Sequence, residues 1–426
     1  MYLSDYLHEI PLKALKRIAG HLGVSVEYQA RIKLMNAIDR AFWDGSLFSR
    51  LAQGLTDIAR LILSIVAFSY DAGIRESALL RKMERLTGAR RREVRDILDE
   101  LILSVLVGGV KYEEPVYFCP RGIAEQARII LLKDFVVPPS SEQPAFSPFP
   151  SLMEDIIALL AAAYREPVPL TQKKHIRRNV LEKTFAGSLT GKDAPEHFSA
   201  EHRDSFVTGY LSARNLMHLG DRSATVTPAL DGWLGLSMTE RIQDAVSFAL
   251  MYVLGDIQTI VPFAGIISEL PIGASFEPSV LAKFLHERTT ASGNVSRLAG
   301  RIWQMASILN YLGLLLYREG RFVMTGAGSG FFHGEPLPID KNNADQFTLQ
   351  PNFETLAGPE LDLRTRFTLE LMSYRKSRDV VITSVVNRRG VARARERGMS
   401  VGQIMSFFET HSRTPVPQNI RFSIEN

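Results

Sequence analysis

Three times along the 426-residue chain an apolar helical pattern runs into a short strand, a polar turn, a second strand and a cap containing Pro or Gly. The copies are Leu101–Ile123, Leu211–Leu234 and Ile308–Phe332. The second and third share a pair, Val226-Thr227 and Met324-Thr325, followed by Gly and an aromatic. Each copy also has two helical patterns upstream. These are Ile58–Tyr70 and Glu76–Leu86, then Leu152–Tyr164 and Lys173–Phe185, then Glu240–Leu254 and Pro278–Glu287. Helices followed by a hairpin are how a winged helix reads from sequence, and recurrence at this length points to tandem copies of one small domain rather than a solenoid. The expected fold is mainly α with small β wings, that is, tandem winged-helix-like domains, followed by a small C-terminal α/β (α+β) domain.

Punctuation residues place the boundaries. Val137–Ser151 is rich in Pro and Ser, which sustain neither a helix nor a central strand. We therefore expect a linker at 138–151, between winged-helix-like domains at 46–137 and 152–238. A third such domain is expected at 239–338, and the C-terminal domain at 343–426. Residues 1–45 carry Leu12, Leu15, Ile18, Ala19 and Leu22 at helical spacing, a break at Gly23–Ser25, and a second helix with Ile32, Met35 and Ile38. Helix–extension–helix units of this kind sometimes bind DNA and more often serve as an added packing element, the reading taken for this segment.

Charge and cysteine usage narrow the chemistry. With a formal charge of only +4, any nucleic-acid surface must come from local clustering. The single cysteine, Cys119, excludes an intrachain disulfide and a thiolate zinc finger. Asp5, His8 and Glu9 interrupt the first apolar residues, so no secretory leader is expected. Leu61–Tyr70 is too short to span a bilayer, and Asp256, Gln258, Pro262 and Glu269 break up Ala245–Ile272. A soluble, cytoplasmic protein associated with the nucleoid is the expectation.

Motifs for a motor or a cofactor fail on inspection. Gly187–Asp193 is one residue too short for a P-loop and ends in Asp where a hydroxyl is needed. Gly326–Gly330 lacks the βαβ context of a dinucleotide fingerprint and reads as the capping turn of the third repeat. His197 and His202 are five residues apart, a poor match to the helical spacing of metal ligands, so no metal and no cofactor are expected.

Basic clusters remain. The third helix of the first repeat, Arg90–Leu101, has Val94, Ile97, Leu98, Leu101 and Ile102 on its buried stripe, which leaves Arg91, Arg92 and Arg95 for solvent or a major groove. Arg92–Asp96 and Arg95–Asp99 pairs at i,i+4 would compensate that face. In the second repeat, Lys173, Lys174, Arg177 and Arg178 follow Thr171, an N-cap candidate, on a basic helix that reads equally as a phosphate contact or a solvated charged face. The largest cluster lies between Arg364 and Arg397 and includes Arg375, Lys376 and Arg378. On a helix from about Ser384 to Arg397, one row carries Arg389, Arg393 and Arg397 and another carries Arg388 and Arg395, with only Glu396 to offset them.

The segment Asn343–Asn426 resembles the helicase-associated domain found at the N-terminal side of XPB-type DNA helicases and in related bacterial proteins. The residues that carry the resemblance are a strand Phe347–Leu356, a helix around Leu361–Ser373, a strand Val380–Ser384 leading into the arginine helix, Val401–His411, and Pro415–Asn419 before a last strand Ile420–Ile424. The resemblance implies a distortion-recognising DNA-binding domain that normally accompanies a helicase motor, whose motifs this chain lacks. The expected function is a non-catalytic DNA-binding accessory protein in repair, recombination or transcription. The alternative is a scaffold or adaptor for a separately encoded helicase or nuclease.

Overall fold

Helices dominate, with small antiparallel sheets between them. The computed structural model describes all residues except 25–29, 43–44, 71–72, 112, 134–135, 139–150, 186–199, 290, 292, 342–343, 359, 379–380 and 426. Most of the expected 138–151 linker, the Gly187–Asp193 loop and His197 therefore lie outside the described residues.

In chain order the structure opens with α1 (Leu3–Glu9), α2 (Leu12–Leu22), α3 (Arg31–Ala41) and α4 (Ser46–Gln53). The first repeat is α5 (Asp57–Ala67), β1 (Ile74–Arg75), α6 (Glu76–Thr87), α7 (Arg91–Leu103), β2 (Gly108–Lys111) and β3 (Pro115–Phe118), then α8 (Arg121–Leu132). The second is α9 (Ser151–Arg165), β4 (Val168–Pro169), α10 (Arg178–Thr184), α11 (Ala200–Ala213), β5 (Met217–Leu219) and β6 (Ser223–Val226), then α12 (Ala229–Leu234). The third begins with α13 (Met238–Ala249), which runs into a π-helical turn Leu250–Leu254, and α14 (Ile257–Ser268). It continues as β7 (Ser275–Phe276), α15 (Pro278–Arg288), α16 (Val295–Tyr311), β8 (Leu315–Arg318) and β9 (Arg321–Met324), then α17 (Gly326–Phe332) and α18 (Pro338–Lys341). The C-terminal segment is β10 (Thr348–Leu349), β11 (Glu354–Ala357), α19 (Leu363–Met372), β12 (Ser373–Arg378), β13 (Ile382–Val386), α20 (Arg388–Glu396), α21 (Val401–His411) and α22 (Gln418–Glu425).

The repetition extends to single hydrogen bonds. The first two sheets have the same order, β1-β3-β2 and β4-β6-β5, all antiparallel. Where each third helix ends, one residue takes a left-handed conformation: Val105, Asn215 and Gly313. The next amide then bonds back five residues into the helix, from Leu106 to Leu101, Leu216 to Leu211 and Leu314 to Leu309. That is a helix stop satisfying an orphan carbonyl. The shared threonines complete the match, because Thr227 Oγ1 donates to the Asn215 carbonyl and Thr325 Oγ1 to the Gly313 carbonyl, at the same sequence offset.

The chain folds as two compact units, Met1–Ser140 with Leu254–Ile302, and Ser141–Val253 with Trp303–Asn426. In the first unit Ile62, Ile65 and Phe68 form a core with Leu131 and Phe284. Arg128 sits over the Tyr70 ring and pairs with Glu269 at 2.5 Å. Buried Lys82 donates to the carbonyls of His286 and Ala291.

In the second unit the N-terminal part of α9 is buried on every face, and α19 packs along it. A helix buried all round should be apolar, yet this one carries Glu154 into the interior. Its charge is met by Arg366 of α19 at 3.0 Å and Arg375 of β12 at 3.8 Å, and Arg375 also holds Glu370 at 2.7 Å. Arg366 and Glu154 are 2% and 1% exposed, so the pair has almost no water to fall back on. Burial pushes the Glu370 carboxyl up, but Arg375, Arg165 and Arg366 outweigh it and hold the pKa below the ordinary value.

The C-terminal sheet has the order β10-β11-β13-β12, and it corrects several expectations. Phe347–Leu356 is two strands, because Pro351-Asn352 turns the chain and Phe353 closes the turn at φ 67°. β12 is an added strand whose polar sequence SYRKSR shows no alternation to read. Thr383 and Ser384 belong to β13, and the helix start is Asn387. The expected last strand Ile420–Ile424 is helical: Ile420 and Ile424 lie four apart on one buried face, and the helix begins just after Pro417.

Replacing Arg366 by Met strands the Glu154 carboxylate and should cost about 3–5 kcal/mol in urea unfolding. The double change Glu154→Met/Arg366→Met should be the less destabilised of the two. Because the folded Glu370 pKa is depressed, its stabilisation is present above about pH 4.5 and lost as pH falls through the folded value. Glu370→Gln should therefore remove part of the acid dependence seen by circular dichroism.

Candidate nucleic-acid interface

The arginine helix α20 is placed by its apolar minority. Gly390, Val391 and Ala394 are its buried residues. Gly390 lies so close to the end of α19 that a Cβ there would stand 2.4 Å from the Met372 carbonyl oxygen. The Asn387 side chain caps the helix by accepting from the Gly390 amide at 2.8 Å. Four arginines fall on the remaining faces, and a fifth, Arg397, is the C-cap.

The two rows expected from sequence have different fates. Arg388 and Arg395 are exposed, and so is Arg389. None of these three has a carboxylate within ion-pair distance among the described residues. Farther along the row of Arg389, Arg393 pairs with Glu166 at 3.2 Å, and Arg397 donates to the Arg165 carbonyl at 3.3 Å. That row therefore turns partly toward the end of α9, while Arg388, Arg389 and Arg395 face solvent with their charge uncompensated. Arg375, counted with the basic surface from sequence, is instead part of the buried ion cluster, and Lys376 pairs with Glu354.

In α7 the buried residues are Val94, Leu98 and Leu101, and Ile97 and Ile102 are half-buried. The arginines are compensated, but not by the partners the spacing suggests. Arg95 pairs with Glu76 of α6 at 2.6 Å, and Arg91 lies 4.0 Å from Glu84 of the same helix. The neighbouring helix supplies these carboxylates in place of Asp96 and Asp99. Arg92 is exposed and has no ion pair among the described residues.

The basic helix expected over Lys173–Phe185 starts later. Residues 171–177 form a turn and an isolated bridge between Leu170 and Ile176, and α10 begins at Arg178. Thr171 is not a helix cap: its hydroxyl accepts from the His175 amide inside that turn, and Lys174 adopts φ 59°. Pairing of Ile176 back to Leu170, just past β4, pre-empts helix formation. Lys173, Lys174, Arg177 and Arg178 are all exposed, with Lys174 3.5 Å from Asp221 and Arg178 2.7 Å from Glu182.

The glycines at 326–330 are helical rather than a turn, with Thr325 as N-cap of α17. A Cβ on Gly328 would meet the Leu314 carbonyl oxygen at 2.0 Å, so this glycine serves close packing against the hairpin. Among the described residues no group of three His, Cys, Asp or Glu could hold a metal ion, and no helix is long and apolar enough to cross a membrane.

Sequence reasoning missed Arg165, which ends α9 and donates to the Ser373 carbonyl at 3.2 Å. Its signal was a single cation at the end of an apolar helix, indistinguishable from an ordinary C-terminal charge. Burial, with Arg393 nearby, lowers its pKa.

Gly390→Ala should push α20 off Met372 and destabilise the chain by about 1–3 kcal/mol, read as a lower thermal midpoint. Comparison with known proteins adds no relative: no protein-family model matches the chain, and no curated protein matches its sequence.

Proposed function

We propose that this chain is a non-catalytic DNA-binding accessory protein in repair, recombination or transcription. Arg388, Arg389 and Arg395 would contact backbone phosphates, and the three helix–hairpin units would act as winged helices that add duplex or junction contacts. The observation that carries this reading is the face of α20, where three exposed arginines have no carboxylate within ion-pair distance among the described residues. An uncompensated arginine face has unspent forked donors, the geometry phosphate oxygens take. The repeated sheet order and helix-stop hydrogen bonds support reading the units as copies of one domain. The resemblance of residues 343–426 to a helicase-associated domain supports a DNA role for the C-terminal module.

An adaptor role, docking a separately encoded helicase or nuclease, is favoured by one observation. Arg91 and Arg95 on the recognition-type helix α7 face Glu84 and Glu76, which leaves that helix less charge to offer a phosphate.

Binding of the full chain to a short duplex should weaken with salt, with a log–log slope of roughly −2 to −4 for the few phosphates α20 can reach. Arg388→Glu/Arg395→Glu should lower affinity by about tenfold or more and flatten that slope. Absence of binding at low salt, or an unchanged slope in the double variant, would overturn the reading in favour of the adaptor.

A further inference from the structure

Beside α20, within the second unit, a cleft of about 930 Å³ opens between α9 and α10 on one side and β12 and α20 on the other. Its cations are Arg165, Lys183, Arg375, Arg389 and Arg393, and its carboxylates are Glu166 and Glu370. Both carboxylates are engaged, Glu370 with Arg375 at 2.7 Å and Glu166 with Arg393 at 3.2 Å. Arg165, Lys183 and Arg389 are left without a carboxylate within ion-pair distance among the described residues. Arg375, with its side chain only 10% exposed, also leaves Nη1 without a hydrogen-bond partner. Several guanidiniums crowded into a concave, partly dehydrated space repel one another unless an anion joins them. One further side chain on the cleft differs in kind: Tyr374 is an aromatic left 53% exposed.

We propose that this cleft holds one nucleotide of a single strand, its phosphate on Arg165, Lys183 and Arg389 and its base stacked on Tyr374. The proposal rests on the DNA-binding reading above and deepens it by naming the form of nucleic acid. Size argues for a single nucleotide, because the volume is that of a small-ligand pocket and a duplex could not enter. Chemistry argues for an unpaired base, because stacking on a protein aromatic needs a base face that a duplex keeps covered. Glu166, exposed at the lip and paired with Arg393, opposes an incoming phosphate by its charge. Two sources share this chemistry, a nucleotide within a strand and a free mononucleotide.

Fluorescence anisotropy on the full chain tests it, using labelled oligothymidylate, a duplex of equal length, and dTMP as unlabelled competitor. Arg389→Gln and Tyr374→Ala should each weaken oligothymidylate binding by about tenfold, the scale of one stacking or charge-assisted contact. Tyr374→Phe should stay within about twofold of the parent, since the ring is what stacks. Glu166→Gln should tighten binding. Tyr374→Ala should leave duplex binding unchanged. Competition by dTMP would assign the cleft to a free nucleotide, and binding of the oligomer alone would assign it to a strand. The proposal fails if Tyr374→Ala and Arg389→Gln bind oligothymidylate like the parent chain. It also fails, with the DNA-binding reading intact, if the duplex binds at low salt and oligothymidylate does not. If neither nucleic acid binds, both readings fall.

Discussion

Glu154 is a carboxylate on a helix that has no solvent face, and its neutralisation by Arg366 and Arg375 organises the second unit. A lone charge in that position would be expelled or protonated, since burying an ion costs several kcal/mol that only a well-placed partner offsets. The partners come from α19 and β12, so satisfying one charge ties both elements to α9. Arg375 then reaches Glu370, and the same strand presents Tyr374 to the cleft. The position of α20 follows, because Gly390 seats it on the last carbonyl of α19.

This dependence explains why two basic helices of similar composition end up with different electrostatics. Packing against α6 supplies α7 with Glu76 and Glu84, which pair with Arg95 and Arg91. The row of α20 nearest α9 finds Glu166, a backbone carbonyl and the Tyr164 ring, and the outer face finds no carboxylate among the described residues. Counting charges within a helix gives the direction of both outcomes but not the partners, because the deciding carboxylates lie on other elements. Surface ion pairs contribute little to stability, but they decide which cations remain available to a polyanion.

Much of the architecture was legible without coordinates. Hydrophobic period and turn residues located the helix–hairpin repeats, and the Thr227 and Thr325 pair marked positions that prove to make the same hydrogen bond in two copies. The errors fell where local signals competed. Lys173–Arg177 looked helical until Ile176 paired with Leu170, Ile420–Ile424 looked extended until its two isoleucines packed as one helical face, and β12 had no pattern to read. Within the candidate site the arginines of α20 were visible as a cluster, whereas Arg165, Lys183 and Tyr374 were not, because they sit far apart in the chain.

The sequence by itself determined the periodic apolar faces, the helix stops and the local excess of arginine, all of which depend on residues within a few positions of one another. Tertiary structure alone decided which arginines are buried, which are paired and which remain free. Those outcomes depend on Coulomb interactions and desolvation between side chains that meet only after folding, as Glu154 meets Arg366 across more than two hundred residues of chain.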